Sequence, residues 1–226
     1  MTGRRGRVSG PASAATAPRI SQATGDRFPG FDVLAQSGHW DPVTAGVVLS
    51  RIGRPPDIRF FTPAEEATAT ALCDRLLGQD AEPKVEVVPQ IDARLAEQET
   101  DGWRYTDMPE DGQAWRDSLR FLDEDSRAAC AREFAQVSPE DQRAVIQTVQ
   151  DLDAKDWHGL NAAHVWSLWT RYACTAFYAH PSAWNEIGFP GPAYPRGYKN
   201  PGVDARESFE VADTSPSSDP VQGKDR

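Results

Sequence analysis

The sequence predicts an all-α fold, an irregular bundle of about six helices in one domain. Helix-start signals, in which a capping residue precedes a proline, recur at Asp41-Pro42, Thr62-Pro63 and Ser138-Pro139. After these signals, apolar residues recur three or four positions apart, which is the helical period. The segment KVEVV at 84–88 could form a short strand, but no second segment is available to pair with it.

The first predicted helix begins after Asp41-Pro42. Val43, Val47 and Val48 would form a short apolar stripe on it. The prolines of the Arg54-Pro55-Pro56 run end it, because proline cannot continue the backbone hydrogen bonding.

The second predicted helix has the clearest start. Thr62, Pro63 and Glu65 form a capping-box pattern, and Gly78 is the natural stop after about Leu77. Its apolar stripe is made mainly of alanine: Ala64, Ala67, Ala71, Leu72 and Leu76.

The remaining helices follow between Pro89 and Pro181. Pro89 starts one, the loop 100–113 separates it from a helix marked by Trp115, and a further turn or two leads to Phe134. Ser138 starts the next helix, and Asn161 caps a strongly apolar helix at 162–179 that Pro181 stops. The apolar positions of these helices, including the tryptophans expected in the core, are Ile91, Leu95, Leu119, Leu122, Val145, Ile146, Val149, Leu152, Trp157, Val165, Trp166, Leu168, Trp169, Tyr172, Ala176 and Phe177.

Composition narrows the function classes. The net charge of −10 argues against a nucleic-acid partner, which would need a basic face, and no apolar stretch is long enough to insert into a membrane. Leu, Ile, Val and Phe together supply only 41 of 226 residues, so we expect a thin core and a contribution from a partner to stability. The negative charge is concentrated in 61–156, which the need for solubility explains.

The two ends of the chain have the composition of disordered tails. Residues 1–27 and 205–226 are polar and aperiodic, which leaves one helical domain over about 28–204. Arg4-Arg5 suggests a twin-arginine signal, but the apolar stretch of such a signal does not follow it. The location is therefore unknown: cytoplasmic by default, or periplasmic and membrane-associated if a partner carries the chain out.

Motifs for catalysis or cofactor binding are not found. The four histidines form no metal-binding pair, and the chain has no G-x-G-x-x-G, G-x-S-x-G or C-x-x-C-H pattern. We therefore expect no catalytic, cofactor-binding or metal-binding residue, and we interpret Cys73, Cys130 and Cys174 as small buried thiols. One alternative stays open: a stand-alone helical sugar-binding protein or enzyme that uses the carboxylates and aromatics of the loop 102–117, together with His180.

The segment 180–202, here called the arm, is the most informative part of the sequence. It contains five prolines and four glycines with large aromatics between them, so we expect neither helix nor strand in it. Aromatic side chains and arginine are favoured anchors of protein–protein contacts, and proline lowers the entropic cost of docking an extended segment. The arm either docks on a partner or straps onto its own bundle.

Four segments resemble the gluconate 2-dehydrogenase subunit 3 family: FFTPAEEATATALCDRLL (60–77), VPQIDARL (88–95), GWRYTDMPEDGQAWRDSL (102–119) and FYAHPSAWNEIGFPGPAYPRGYKN (177–200). The resemblance covers roughly 30–202. It implies a small subunit without a cofactor of its own, which supports the folding, stability and in some members the export of a large FAD-containing subunit. That subunit is of the glucose–methanol–choline (GMC) oxidoreductase type, and in the best-known complexes a multihaem cytochrome c takes the electrons onward.

The expected interface with such a partner lies in the arm. It comprises Trp184, Asn185, Phe189, Tyr194, Arg196 and Tyr198. The resemblance also implies that FAD belongs to the partner, and the missing apolar part of the export signal puts export by this chain in doubt.

Overall fold

The computed structural model describes residues 28, 30–200, 202 and 205–211, and it confirms the all-α class. The α-helices in this part of the chain are α1 (Pro42–Ser50), α2 (Pro63–Leu76), α3 (Val88–Ala96), α4 (Asp111–Cys130), α5 (Pro139–Asp151), α6 (Ala162–Tyr178) and α7 (Pro181–Ile187). Two 3₁₀ helices span Val33–His39 and Phe134–Gln136. The predicted tail 1–27 and residues 212–226 of the second tail lie outside the described residues.

The predicted helix starts are confirmed by their hydrogen bonds. Asp41 accepts from the backbone N–H of Val43 at 3.0 Å, and Ser138 accepts from that of Asp141 at 3.2 Å. In the capping box of α2, the Thr62 hydroxyl accepts from the N–H of Glu65, and the Glu65 carboxylate accepts from the N–H of Thr62 at 2.8 Å. These contacts are local, so the sequence alone is enough to specify them.

The main core lies between α2, α3, α4, α5 and α6. Its largest fully buried side chains are Trp115, Trp169, Tyr172 and Phe134. The indole N–H of Trp169 donates to the Ser118 hydroxyl at 2.9 Å, which satisfies its polar group inside the core. The expectation that tryptophans fill this core is confirmed.

A second, smaller apolar cluster lies apart from the main core. Val33, Leu34, Trp40, Val48 and Trp184 form it, with Phe31, Ala45 and Ile52 packed against it. It joins the first 3₁₀ helix and α1, near the start of the chain, to α7 near the end. We call the first 3₁₀ helix, α1, α7 and the arm together the small lobe.

Residues 84–87 form no strand, as expected from the absence of a partner strand, and Val88 already begins α3. The side-chain amide of Gln79 takes the place of that strand: its Oε1 accepts from the Val85 N–H at 2.7 Å, and its Nε2 donates to the Val85 carbonyl at 3.1 Å. Val85 is thereby buried with both its backbone groups satisfied.

The prediction that no helix forms in 180–202 was wrong. His180 caps a short helix with Pro181 in its first turn, so this proline favours the helix rather than breaking it. The helix ends at Gly188, whose φ of 67° lies in the left-handed region. The dense prolines that exclude helix begin only at Pro190.

Two predicted stripes were wrong in part. In α1, Val43 and Val47 are exposed and only Val48 is buried. In α2, Leu72 is buried and Ala71 and Leu76 pack against the core, as predicted. Ala64 is exposed, however, and Thr68 and Ala69 are buried although they were not expected on this face. Alanine and valine occur on both the buried and the exposed faces of helices, so these residues alone do not show which face is buried.

Three smaller features differ from expectation. Residues 156–157 and 160–161 pair as a two-residue antiparallel hairpin, although no paired strands were expected. Helix α4 begins at Asp111, inside the predicted loop. Of the three thiols, only that of Cys73 is buried, since Cys174 is exposed on the outer side of α6 and Cys130 is intermediate.

Candidate functional site

His180 caps the start of α7 in the small lobe. The imidazole Nδ1 of His180 accepts from the N–H of Ser182 at 3.2 Å and so caps the helix. Burial of the ring lowers the pKa of His180, and the positive charge of Arg51 lowers it further. A neutral ring with its proton on Nε2 fits this contact, because Nδ1 must remain an acceptor.

Two of the six expected interface residues face their own chain. The Trp184 indole N–H donates to the Tyr178 carbonyl at 2.6 Å, and the Asn185 Oδ1 accepts from the Val33 N–H at 2.8 Å. Both side chains are buried. Asn185 ties α7 to the first 3₁₀ helix, and Trp184 ties it to the end of α6.

Three other expected residues are exposed aromatics. The exposed fractions are 38% for Phe189, 67% for Tyr194 and 60% for Tyr198. Phe189 packs edge-on against Trp184, with ring centroids 5.2 Å apart, and this contact fixes its base while its outer side stays in solvent. The arm is thus a strap on its inner side and presents aromatic rings on its outer side.

The sixth expected residue, Arg196, is half-buried. Its guanidinium donates to the Gln36 Oε1 at 3.0 Å and lies 3.9 Å above the Phe209 ring centroid. Residues 205–211, which the sequence assigns to a tail, therefore contact the arm. Glu207 reinforces this contact by accepting from the backbone N–H groups of Lys199 and Asn200, and these bonds lower the pKa of its carboxyl.

A glycine allows the arm to pass close to the lobe. Gly191 has a φ of 79°, and a Cβ at this position would lie 2.6 Å from the Trp40 ring. Any larger residue would be strained in its backbone and would clash with an aromatic ring. The arm is therefore fixed over Trp40 before it reaches the exposed tyrosines.

Exposed large apolar side chains are concentrated on the small lobe. Ten such side chains occur among the described residues, and eight lie on the lobe or on the adjoining end of α6: Val43, Val47, Leu49, Tyr178, Ile187, Phe189, Tyr194 and Tyr198. Val43 is the most exposed, at 75%. We call these eight side chains the exposed apolar surface. Concentration of apolar groups on one part of a protein marks an interaction site.

The loop of the alternative hypothesis carries the other two exposed aromatics, Trp103 and Tyr105. Three clustered carboxylates of this loop, Asp107, Glu110 and Asp111, already have partners within the chain. Asp107 binds the His164 ring at 2.8 Å, and Glu110 forms an ion pair with Arg104. These contacts hold the loop onto α6 and favour a structural role over sugar binding.

The third carboxylate of that loop is the most deeply placed. Asp111 accepts from the Tyr172 hydroxyl at 2.7 Å and lies 3.5 Å from an Arg171 nitrogen. Burial raises the pKa of Tyr172 strongly, and the Asp111 charge raises it further, so the phenol remains a donor. Asp111 is accordingly a buried anchor at the start of α4.

No group of three or more His, Cys, Asp or Glu side chains in the described part of the chain is arranged to hold a metal ion. No described helix is both long enough and apolar enough to cross a membrane.

The sequence did not reveal the contribution of α1 to this surface. Val43, Val47 and Leu49 have the residue types of a core stripe, and nothing local distinguishes an inward from an outward valine. The available signal was the near-continuous apolar character of α1, which lacks the polar face that a surface helix normally has.

Comparison with known families gives one match. A family model described as gluconate 2-dehydrogenase subunit 3 matches residues 63–191. That range begins with α2 and ends within the arm at Gly191. Neither the curated proteins nor the solved structures contain a match to this chain.

Proposed function

This chain belongs to the gluconate 2-dehydrogenase subunit 3 family, and we propose that it is a non-catalytic subunit that binds and stabilises a large flavoprotein. The family description places its members in a multi-subunit gluconate dehydrogenase. In the proposal the partner is an FAD-dependent GMC-type dehydrogenase of a sugar, sugar acid or alcohol. The partner holds the FAD, and a cytochrome c is a further candidate member of the complex.

The observation that carries this proposal is the exposed apolar surface. Eight large apolar side chains in water on one lobe are costly for a subunit that remains alone, and burying them in a complex removes that cost. The aromatic rings of Tyr194 and Tyr198 suit the centre of an interface, because they bury a large area with few rotatable bonds. The Tyr198 ring already lies against Phe209, with ring centroids 6.0 Å apart, so it loses less entropy on docking than a free side chain would.

The negative charge of the chain is concentrated away from the exposed apolar surface. Residues 61–156 carry 10 basic and 23 acidic side chains, a net charge of −13. The exposed apolar surface lies outside this stretch, so the acidic helices would remain in solvent or guide a basic region of the flavoprotein to the complex.

The direct test is co-expression with a GMC-type flavoprotein of the source organism, followed by affinity capture and gel filtration. We expect a complex that survives at micromolar concentration and higher soluble yield of the flavoprotein. Separate elution of the two proteins would overturn the proposal.

A pair of double variants then tests the surface. Tyr194→Ala with Tyr198→Ala should weaken assembly by about 2–4 kcal/mol, because hot-spot aromatics at interfaces contribute at this level. Trp103→Ala with Tyr105→Ala removes the two exposed aromatics outside the lobe and should leave assembly unchanged. The reverse pattern would place the interface on the 102–117 loop. Competition gel filtration at several protein concentrations measures the assembly of the two double variants.

A further inference from the structure

A cavity of about 300 Å³ lies between the end of α1, residues 84–86, α3 and the second half of α6. Its floor is apolar and includes Ile52, Ile91 and Ala176. A volume of this size is at the lower end of the range for small-molecule sites. Two lining residues, Ser50 and His180, belong to the small lobe, but none of the eight side chains of the exposed apolar surface lines the cavity.

The rim of the cavity is strongly basic, although the chain as a whole is acidic. Arg51, Arg54, Lys84 and Arg94 line it, and Glu86 is the one carboxylate among its lining residues. Four cations against one anion, in a chain of net charge −10, is a local reversal of sign. A positive rim around a low-dielectric floor attracts anions.

The cations differ in how far they are already neutralised. Arg54 pairs with Asp57 at 2.6 Å, Lys84 with Asp74 at 2.5 Å and Arg94 with Asp101 at 2.9 Å. In contrast, Arg51 donates to the Ala179 carbonyl at 3.0 Å and lies 5.9 Å from the centroid of the Trp184 ring, and it has no carboxylate partner among the described residues. Neither contact neutralises its charge, so the guanidinium can still pair with an anion at the rim.

His180 supplies a second donor beside Arg51. Its Nδ1 is used as an acceptor by the Ser182 N–H, so the proton of the neutral ring is on Nε2. The ring lines the cavity and is half-buried. A guanidinium and an imidazole N–H on one side of an apolar floor can together bind the two oxygens of a carboxylate.

We propose that this cavity binds a small amphipathic organic anion, with its carboxylate at Arg51 and His180 and its apolar part against Ile52, Ile91 and Ala176. The apolar character of the floor determines which class of anion fits the cavity. A polyhydroxylated acid would leave hydroxyl groups without partners on the floor, and an inorganic anion would leave the floor unfilled. An apolar chain or ring that ends in a carboxylate satisfies both parts of the cavity.

The test uses the purified full chain and three matched probes. These are 4-phenylbutyrate, its uncharged analogue 4-phenylbutanol, and gluconate, which has the carboxylate without the apolar part. Titration calorimetry should show 4-phenylbutyrate binding at least about tenfold tighter than either control, a difference of about 1.4 kcal/mol. Backbone NMR shifts should map to residues 50–55, 84–94 and 172–180. Equal affinity for all three probes, or shifts elsewhere on the chain, would overturn the proposal.

Two variants separate the charge from the floor. Arg51→Gln should weaken 4-phenylbutyrate about tenfold, because a charged hydrogen bond is replaced by a neutral one. Ala176→Leu leaves every cation in place but fills the floor, so binding should be lost. Arg132→Gln, at an exposed arginine outside the cavity, is the control and should bind normally. Thermal melting checks that each variant is folded. Unchanged binding in both Arg51→Gln and Ala176→Leu would refute the site without bearing on the flavoprotein complex, which the assay does not contain.

Discussion

Some side chains in this protein bind backbone amides that no helix or strand satisfies. Asp92 is fully buried, and its Oδ1 accepts from the N–H groups of Phe60 and Phe61 at 2.9 and 2.8 Å. Its Oδ2 accepts from the N–H of Arg59 at 2.7 Å. One carboxylate on α3 thereby satisfies three consecutive amides of the segment that leads into α2, and a buried amide without a partner is costly.

The first prediction concerns this carboxylate. Asp92→Ala should lower the free energy of unfolding by about 3 kcal/mol, because three amides lose their acceptor. Asp92→Asn is the matched control: it keeps the oxygen used by Phe60 and Phe61 and should cost about half as much. Urea unfolding followed by tryptophan fluorescence measures both. Equal losses in the two variants would contradict the geometry described here.

A second prediction concerns pH and Glu65. Burial raises the pKa of this carboxyl, but hydrogen bonds from Thr62 and Arg116 lower it by more, so the net shift is downward. A carboxyl with a lowered pKa stabilises the fold above its unfolded pKa, and the effect is lost as pH falls through the folded value. Glu65→Gln should therefore cost about 1 kcal/mol at pH 7 and progressively less below about pH 4.

The matched control for that experiment is the neighbouring acid of the same helical turn. Glu66→Gln removes one negative charge from the first turn of α2 without touching the capping box. Its unfolding free energy should follow the wild type across the same pH range more closely than that of Glu65→Gln. A cost for Glu65→Gln that does not change with pH would show that packing, and not the charge, is responsible.

At the scale of elements, helix starts were predictable and helix faces were not. Asp41, Thr62 and Ser138 each satisfy an amide two or three residues ahead, so all the information lies within one turn. Which side of α1 is buried depends on α7, more than 130 positions later in the chain, and no local pattern contains it. Helix α7 was missed because the prolines after residue 189 obscured a start signal of the usual kind at His180-Pro181.

A third prediction belongs to α7. The pKa of His180 is lowered by burial and by Arg51, so the neutral form is favoured in the folded state. Its contribution is present above the ordinary histidine pKa and is lost as pH falls below about 6.5. Hydrogen exchange of the amides in 182–189, corrected for intrinsic rates, should therefore show weaker protection at pH 5.5 than at pH 7.5.

The control for α7 retains the cap without the titration. His180→Asn keeps a side-chain acceptor for the Ser182 N–H, and asparagine has no charge change in this range. Protection of 182–189 in this variant should be the same at both pH values. A pH effect that persists in His180→Asn would assign the weakening to another group.

At the scale of the whole molecule, the protein has two apolar cores that differ in size and in the parts of the chain that they join. The main core joins the helices of one continuous stretch, α2 to α6, whereas the small lobe joins segments near the two ends of the described chain. The helices of the bundle could be predicted from their own start signals and apolar spacing, but the lobe, and with it the exposed apolar surface, could not. The exposed apolar surface depends on contacts between segments that lie far apart in the chain.

A fourth prediction follows from this division. A chain that ends at His180 should retain a cooperatively folded α2–α6 bundle, while the amides of 33–50 lose protection because Trp184 and Asn185 no longer cover them. A chain that ends at Val211 keeps every described contact and should protect both regions. Hydrogen exchange of the two chains compares them directly, and retained protection of 33–50 in the shorter chain would show that the lobe does not need α7.

The hydrogen bond between Val33 and Asn185 spans 152 positions, and this has a consequence during synthesis. At the ribosome, roughly 10–30 s pass between the two residues at ordinary elongation rates. Helices α2 to α6 have all been synthesised before the first 3₁₀ helix can make its contacts with α7. A prematurely terminated chain can therefore fold its centre without presenting a finished contact surface, and a partner that binds this surface selects full-length molecules over fragments.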